Sequence, residues 1–278
     1  MEDLPPTRFV PAFDKSSTTI PRESQSGSPA WDKKRALNLL ADGYWFRDLA
    51  AELRDRIISA GEIREVRRAP LYRIGAKVDG LYATLAGDVR FYGRDEKRGK
   101  AFMRALGPTS WFGAVHLMDG KTRRTFEVWC AGPSTLFFLS SNAYRTLIEQ
   151  SPDAYRAFVR LMCLHTAQVT RMMLDARAEA PARAARALIH LAHAHGRPVE
   201  RGIEIGIRLS QDDLASLVGV SRQYLNELIQ VWARDGLIEW KAKGHHIVDL
   251  NRLTGLAPVD ERDAIEMPSV LKNVVRRT

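Results

Sequence analysis

Residues Ser210–Trp240, SQDDLASLVGVSRQYLNELIQVWARDGLIEW, hold two helical periods on either side of a glycine, followed by a β-rich run. Ser210 stands where it can cap the first helix, with Asp213 at the third helical position, where a capping box usually carries Glu. Leu214, Leu217 and Val218 form an inner face, and Ala215 is small enough for a close helix crossing. Gly219 supplies the turn, where a backbone angle disfavoured by β-carbons is expected, and Ser221 can cap the second helix. On that helix Leu225, Leu228, Ile229 and Trp232 recur at i, i+3, i+4 and i+7 and must face inward. Arg222, Gln223, Asn226, Glu227 and Gln230 are left outside. The spacing is that of a helix-turn-helix.

The outer face has the chemistry of major-groove recognition. Arg can donate to guanine O6 and N7 together, Gln or Asn can pair with adenine, and Glu can accept from cytosine, the early helix positions being those that reach bases. Base contacts are therefore expected from Arg222, Gln223, Asn226 and Glu227. Ser210, Gln211, Ser221 and the two helix N-termini suit phosphate oxygens, contacts that position a domain without specifying sequence. Leu237–Lys241 and Ile247–Leu250 are expected as two strands around the turn Ala242, Lys243 and Gly244. They would make a wing with Lys241, Lys243 and His245 toward the nucleic-acid backbone. The competing reading of the same pattern is a helical hairpin with solvated polar side chains. The caps, the turn and the wing together favour DNA.

Working back along the chain, Pro181 in DARAEAPARAARAL marks a joint, because a proline ends or kinks the preceding helix. From Pro152 to Glu179, Tyr155, Phe158, Val159, Met162, His165, Thr166, Val169, Met172 and Met173 recur close to a 3.5 repeat, which predicts one long helix with a seam. That helix is longer than a small barrel needs, so part of its stripe would stay wet in a monomer, and pairing with its own copy would cover it. Between Gly61 and Phe138, short β-rich runs (LYRIG, GLYATLAGDVRFYG, FMRALGPTSWFG, FEVWCAGPSTLFFLS) alternate with turn residues, as in an antiparallel sandwich or roll. Residues 1–30 are rich in Pro, Ser and Thr and are expected to be a disordered lead. A tail after Pro258 carries a short apolar patch at Val270, Leu271, Val274 and Val275.

Composition narrows the function class. The 278 residues carry 42 Lys and Arg against 33 Asp and Glu, a net charge of +9 that favours an anionic partner. Most of it, +8, falls between residues 31 and 180, and only +2 over 181–257. Cys130 and Cys163 are too few for a disulfide framework, a cysteine-held zinc or an iron–sulfur centre, and are expected to be packing residues in a reducing compartment. The sequence has no apolar run of spanning length and no leader of the secretory type, so a cytoplasmic protein without a membrane partner is expected. No nucleotide-binding, hydrolase or metalloprotease motif is present, and no catalytic constellation, so the chain is not expected to be an enzyme.

With these parts in this order, the chain resembles the Crp/Fnr family of bacterial transcription regulators from Leu49 to about Leu256. The run VGVSRQYLNELIQVWARDGLI is similar to the family's helix-turn-helix, and YATLAGDVRFY, WFGAVHLMDG and RRT resemble its cyclic-nucleotide-binding β-roll. The resemblance implies an α+β fold: an N-terminal antiparallel β-roll or jelly-roll sensor over 31–151, a dimerisation helix over 152–180, a winged helix-turn-helix over 181–257, and a tail over 258–278. It implies a homodimer on palindromic double-stranded DNA, with RNA polymerase as a further partner and DNA binding controlled by a signal sensed in the roll. The family's cassette has a Gly-Glu pair, whose acid takes the ribose hydroxyl, and an Arg-Ser or Arg-Thr pair for the cyclic phosphate. Gly113, Arg124 and Thr125 match, the acid position is Ala114, and Val169 and Thr170 correspond to the base-contacting region of the long helix. An Arg beside a hydroxyl residue after a turn at Asp119 and Gly120 is also a reasonable anion cradle on physical grounds. Losing the carboxylate removes a charge-assisted hydrogen bond of about 1.5 to 3 kcal/mol, roughly ten- to a hundredfold in affinity. This argues against cyclic AMP and leaves a different nucleotide, another small effector, or DNA binding with no effector.

The alternatives are specific. Arg124 in a surface ion pair with Glu127 or Asp119 would make the cradle fortuitous. Haem on His116, or a metal on His190 and His193, lacks supporting ligands, and no metal site is expected. The basic run Arg94, Lys97, Arg98 and Lys100 is expected as a solvated hairpin loop. A module of another class, a small-molecule-binding protein whose winged helix contacts protein rather than DNA, remains the competing function, because Asp212, Asp213 and Glu227 leave that domain only weakly basic.

Overall fold

The computed structural model describes residues 30–95, 99–118, 122–199, 202–240 and 246–257. Residues 1–29 of the expected lead, Lys97 and Arg98, the Asp119–Gly120 turn, the wing turn with Lys243, and the tail from Pro258 lie outside the described residues.

Two helices, α1 (Lys33–Leu40) and α2 (Ala51–Ala60), precede the strands. Eight strands then form two antiparallel four-stranded sheets, in the orders β1-β8-β3-β6 and β2-β7-β4-β5. Their ranges are β1 Glu62–Val66, β2 Ala69–Tyr72, β3 Gly80–Ala86, β4 Val89–Gly93, β5 Ala101–Leu106, β6 Trp111–Phe112, β7 Glu127–Cys130 and β8 Ser134–Ser140. The period of two along a strand explains why β3 and β8 are apolar almost throughout. Tyr82, Leu136 and Phe138 face the interior between the sheets, with Val66, Val89, Phe112 and Val128. Leu81, Ala83, Leu85, Phe137 and Leu139 face the other way, onto a layer of helices. There Trp45 stands edge-on to Trp111, ring centroids 5.0 Å apart, and Tyr144 of α3 (Ser141–Gln150) stands edge-on to Phe158.

The long helix α4 (Pro152–Asp175) begins at Ser151, whose hydroxyl accepts from the Ala154 amide, and has proline in its first turn, where no amide donor is needed. It spans about 36 Å at 1.5 Å per residue. Its first half packs on its own roll through Ala154, Ala157, Phe158 and Leu161, and the Trp45 indole donates to the Ala157 carbonyl. The second half leaves Val169, Met172, Met173 and Leu174 exposed. The sequence seam is thus split: Phe158 is core and Tyr155 is exposed. Pro181 does not end this helix. The chain leaves it at Ala176, and the proline sits in the first turn of α5 (Ala180–His195), a position that accepts proline as readily as the start of α4 does.

The C-terminal unit adds β9 (Gly196–Pro198), β10 (Ile203–Ile205), α6 (Gln211–Val218), α7 (Arg222–Arg234), β11 (Ile238–Trp240), β12 (His246–Val248) and α8 (Leu250–Leu256). The strands make one antiparallel sheet in the order β11-β12-β10-β9. Leu250, expected in a wing strand, instead opens α8, where Asp249 accepts from the Arg252 amide and Leu250 and Leu253 reach the core. An apolar residue after one capping Asp serves either element, and only the packing partner decides.

The two units share packing. Phe102 and Ala105 of β5 belong to the core formed by α5, α6, α7 and α8. The Ser216 hydroxyl on α6 donates to the Phe102 carbonyl at 3.2 Å. Arg90 of β4 is buried; it donates to both carboxylate oxygens of Asp88, to Asp213 at 3.4 Å and to the Arg208 carbonyl.

Candidate functional site

The helix-turn-helix is built by local rules. The Ser210 hydroxyl accepts from the Asp213 amide at 3.0 Å and the Ser221 hydroxyl from the Tyr224 amide at 3.1 Å, so both helices start on serine caps. Gly219 takes φ +73°, a left-handed angle that ends α6, and the amides of Gly219 and Val220 both return to the Ala215 carbonyl. A further support was not legible in the motif. Arg183 of α5 donates to the carbonyls of Val218, at 2.8 Å, and of Gly219, at 3.4 Å, and thereby fixes the turn from outside. A cation at a helix C-terminus is the general signal, but its origin 35 residues upstream in an Ala/Arg-rich stretch gave no hint of the pairing.

Leu225, Ile229 and Trp232 bury the inner side of α7. Ser221, Arg222, Gln223, Glu227 and Gln230 are exposed, and Asn226 is half-buried. Ser210 is exposed and Gln211 half-buried at the start of α6, and the Gln211 amide donates to the Asn226 carbonyl oxygen at 3.2 Å. Arg222 lies 3.4 Å from Asp212 with both side chains mostly in solvent, and Gln223 donates to Glu227 at 3.3 Å. Exposed pairs of this kind are worth little, so a nucleic acid can take over their donors at small cost. Ser221, Arg222, Gln223, Asn226 and Glu227 thus lie at the start of α7 and Ser210 and Gln211 at the start of α6, whereas Lys241, Lys243 and His245 lie outside the described residues.

The second cluster sits at one end of the roll. Gly113 adopts φ +94°, and a β-carbon there would stand 2.7 Å from Arg124 Nη1. Arg124 is buried, not superficial as an ion pair with Glu127 or Asp119 would make it. Its Nη1 donates to the Gly113 carbonyl at 3.0 Å, and its Nη2 to the Gly80 carbonyl at 2.8 Å and to Asp79 at 2.6 Å. The guanidinium lies 4.1 Å from the centroid of the Tyr72 ring, and burial pushes the Tyr72 hydroxyl far above its ordinary pKa. Ala114 is buried beside Gly113, whereas Thr125 is exposed, its hydroxyl 3.2 Å from His116 Nε2. Val169 and Thr170 are exposed on α4, and the Thr170 hydroxyl donates back to the Thr166 carbonyl. Gly113 and Arg124 are therefore brought together, and Asp79, absent from the sequence expectation, joins them. Nothing around Asp79 in the sequence marks it, because its partner is 45 residues away.

Other expected features move. Lys100 donates to Glu127 at 2.6 Å and stands over the rings of Tyr92 and Trp129, so it is not simply solvated. Cys130 is buried, with its thiol pushed up to about 11 by that burial, but Cys163 is exposed on α4 and is not a packing residue. Among the described residues no group of three His, Cys, Asp or Glu side chains could hold a metal ion, and no helix is long and apolar enough to cross a membrane. An open cleft of about 420 Å³ between α2 and the start of α4 is lined by Asp48, Glu52, Arg56, Asp153, Arg156 and Arg160, away from both clusters.

Residues 182–256 match the Crp-like helix-turn-helix domain, and residues 66–151 match the cyclic nucleotide-binding domain. The chain is 24% identical over 180 residues to the CRP-like cAMP-activated global transcriptional regulator of Mycobacterium tuberculosis, covering 64% of this chain and 80% of that one. Its fold is similar to that of the c-di-GMP responsive global regulator CLP of Xanthomonas campestris, with a TM-score of 0.59 and 21% identity over 72% of this chain and 99% of that one. It is equally similar to a CRP/FNR-family transcriptional regulator of Thermus thermophilus, with a TM-score of 0.59 and 23% identity over 71% and 99% of the two chains.

Proposed function

This chain belongs to the Crp/Fnr family of transcription regulators, and from that premise we propose that it acts as a homodimer that binds palindromic DNA selectively under the control of its β-roll. The observation that carries the proposal is the outer face of α7, where Arg222, Gln223 and Glu227 are exposed beside the half-buried Asn226 at the helix end that enters a major groove. These four read base edges, and Ser210, Gln211, Ser221 and Lys243 hold phosphates. Two copies join along the second half of α4, where Val169, Met172 and Met173 form an apolar stripe at i, i+3 and i+4 that the roll leaves uncovered. The regulator works in the cytoplasm with RNA polymerase as its further partner, and it catalyses no reaction.

Control runs from the roll to the reading head through two routes supported by contacts. One is α4, which the roll grips by its first half. The other is the β4–β5 hairpin, whose Arg90 and Phe102 carbonyl engage α6 directly. Gly113, Ala114, Arg124 and Thr125, with Val169 and Thr170 of α4, form the sensing region, and its effector is not expected to be cyclic AMP.

Fluorescence anisotropy with a selected duplex tests the base-reading assignment. Arg222→Ala is expected to weaken the selected site by about ten- to a hundredfold, the worth of one bidentate base contact, while non-specific binding changes much less. Equal loss on all sequences would make Arg222 a phosphate contact, and no loss on any would favour the protein-contact module.

A further inference from the structure

We propose that Asp79 is the specificity-determining residue of the roll's cassette, a built-in counter-ion that occupies Arg124 and excludes phosphate-bearing ligands. The inference rests on reading the roll as the sensor of the proposed regulator and adds what that sensor refuses.

The side chain of Arg124 is 2% exposed and that of Asp79 45%, so the carboxylate is the solvent-facing member of the pair. A buried guanidinium needs a counter-charge, and Asp79 supplies it at 2.6 Å. The pair is held rather than incidental. The Tyr82 hydroxyl donates to the other oxygen of Asp79, and the Asp79 carbonyl accepts from the Ser141 amide at the start of α3. Arg124 is fixed equally: carbonyls of Gly80 and Gly113 take its donors, its own amide donates to Ala76, and its carbonyl accepts from Gly75. Tyr82 is in turn locked between Phe112 and Phe138. An incoming phosphate would meet a guanidinium already neutralised and a carboxylate of its own sign beside it. Ala114 offers no acid for a ribose hydroxyl in return. Both terminal nitrogens of Arg124 are therefore taken in the ligand-free chain, only its Nε being buried without a partner, and the phosphate that resemblance would assign to Arg124 has its place taken by a side chain.

The test compares the full-length protein with Asp79→Asn, which keeps size and hydrogen-bonding oxygen but removes the charge. Binding of inorganic phosphate and of cyclic AMP is measured by calorimetry, and melting temperature is followed in phosphate against chloride at matched ionic strength. Wild type is expected to show no specific phosphate effect. Asp79→Asn is expected to bind phosphate at least about tenfold more tightly than wild type, as when one charge-assisted contact changes hands. The gain should vanish in Asp79→Asn/Arg124→Gln, and Asp79→Glu should behave as wild type. If Asp79→Asn is unfolded in chloride, phosphate should restore its melting transition. Wild type that binds phosphate or cyclic AMP as tightly as Asp79→Asn, or a gain that survives loss of Arg124, overturns the proposal. No readout uses DNA, so failure here leaves the regulator standing, and loss of selective DNA binding leaves Asp79's role intact.

Discussion

His195 ends α5 where the two units meet, and its Nε2 is buried without a hydrogen-bond partner. Burial lowers its pKa to about 4, Asp88 opposes that shift, and Arg90 adds to it. The same desolvation lowers His165, near Arg104, and His193, near His190, to about 4. Each folded pKa lies below the ordinary value of 6.5, so the unfolded chain binds more protons between these limits. The stability these groups support is complete above pH 6.5 and is lost as pH falls toward 4. Across that window the urea midpoint of wild type should fall more steeply than that of His195→Gln as pH drops, and parallel curves would contradict the assignment. Residues whose roles are local were legible in the sequence: the Ser210 and Ser221 caps and the Gly219 turn need only neighbours within five positions. Arg183, Asp79 and Arg90 were not, because Val218, Arg124 and Asp213, which they reach, stand across the fold, and an Arg or Asp in a one-dimensional string names no distant partner.

Among the elements, α4 carries the largest consequence. Periodicity identified a long apolar stripe, but periodicity cannot say which part of a stripe meets the chain's own core. Trp45 and Tyr144 take Phe158, and this leaves Val169, Met172 and Met173 to another surface. Met173→Glu should weaken self-association by at least about tenfold, because an unpaired carboxylate resists burial. Light scattering should then find monomers at concentrations where wild type is dimeric, with unchanged helical circular dichroism. A dimer indifferent to this change would mean that the copies join elsewhere. Pro181 and Leu250 teach a related lesson. Proline fits the first turn of a helix as well as the end of one, and a Leu after a capping Asp opens a helix when core space awaits it.

Across the whole molecule, the roll and the reading head are not beads on a string. Phe102 lies in the core of the C-terminal unit although it belongs to a strand of the roll, and Ser216 ties α6 to the same strand. Scanning calorimetry should give one transition for wild type. Phe102→Ala, which removes a buried ring at a cost of about 3–5 kcal/mol, should split it into two as the shared core is lost. A single transition that merely shifts would show the units coupled by other means. The order of units was legible, since each has its own pattern, but the seam between them was not, because both of its sides look like ordinary core.

The most direct measurement is recovery of preferred duplexes from a random pool by the purified, effector-free protein. The expected result is one enriched palindrome, with half-site centres about one helical turn, 34–36 Å, apart and one dimer bound. Enrichment of a single half-site bound by a monomer would contradict the proposed regulator, and enrichment of no sequence would point to an obligatory effector or to the protein-contact module.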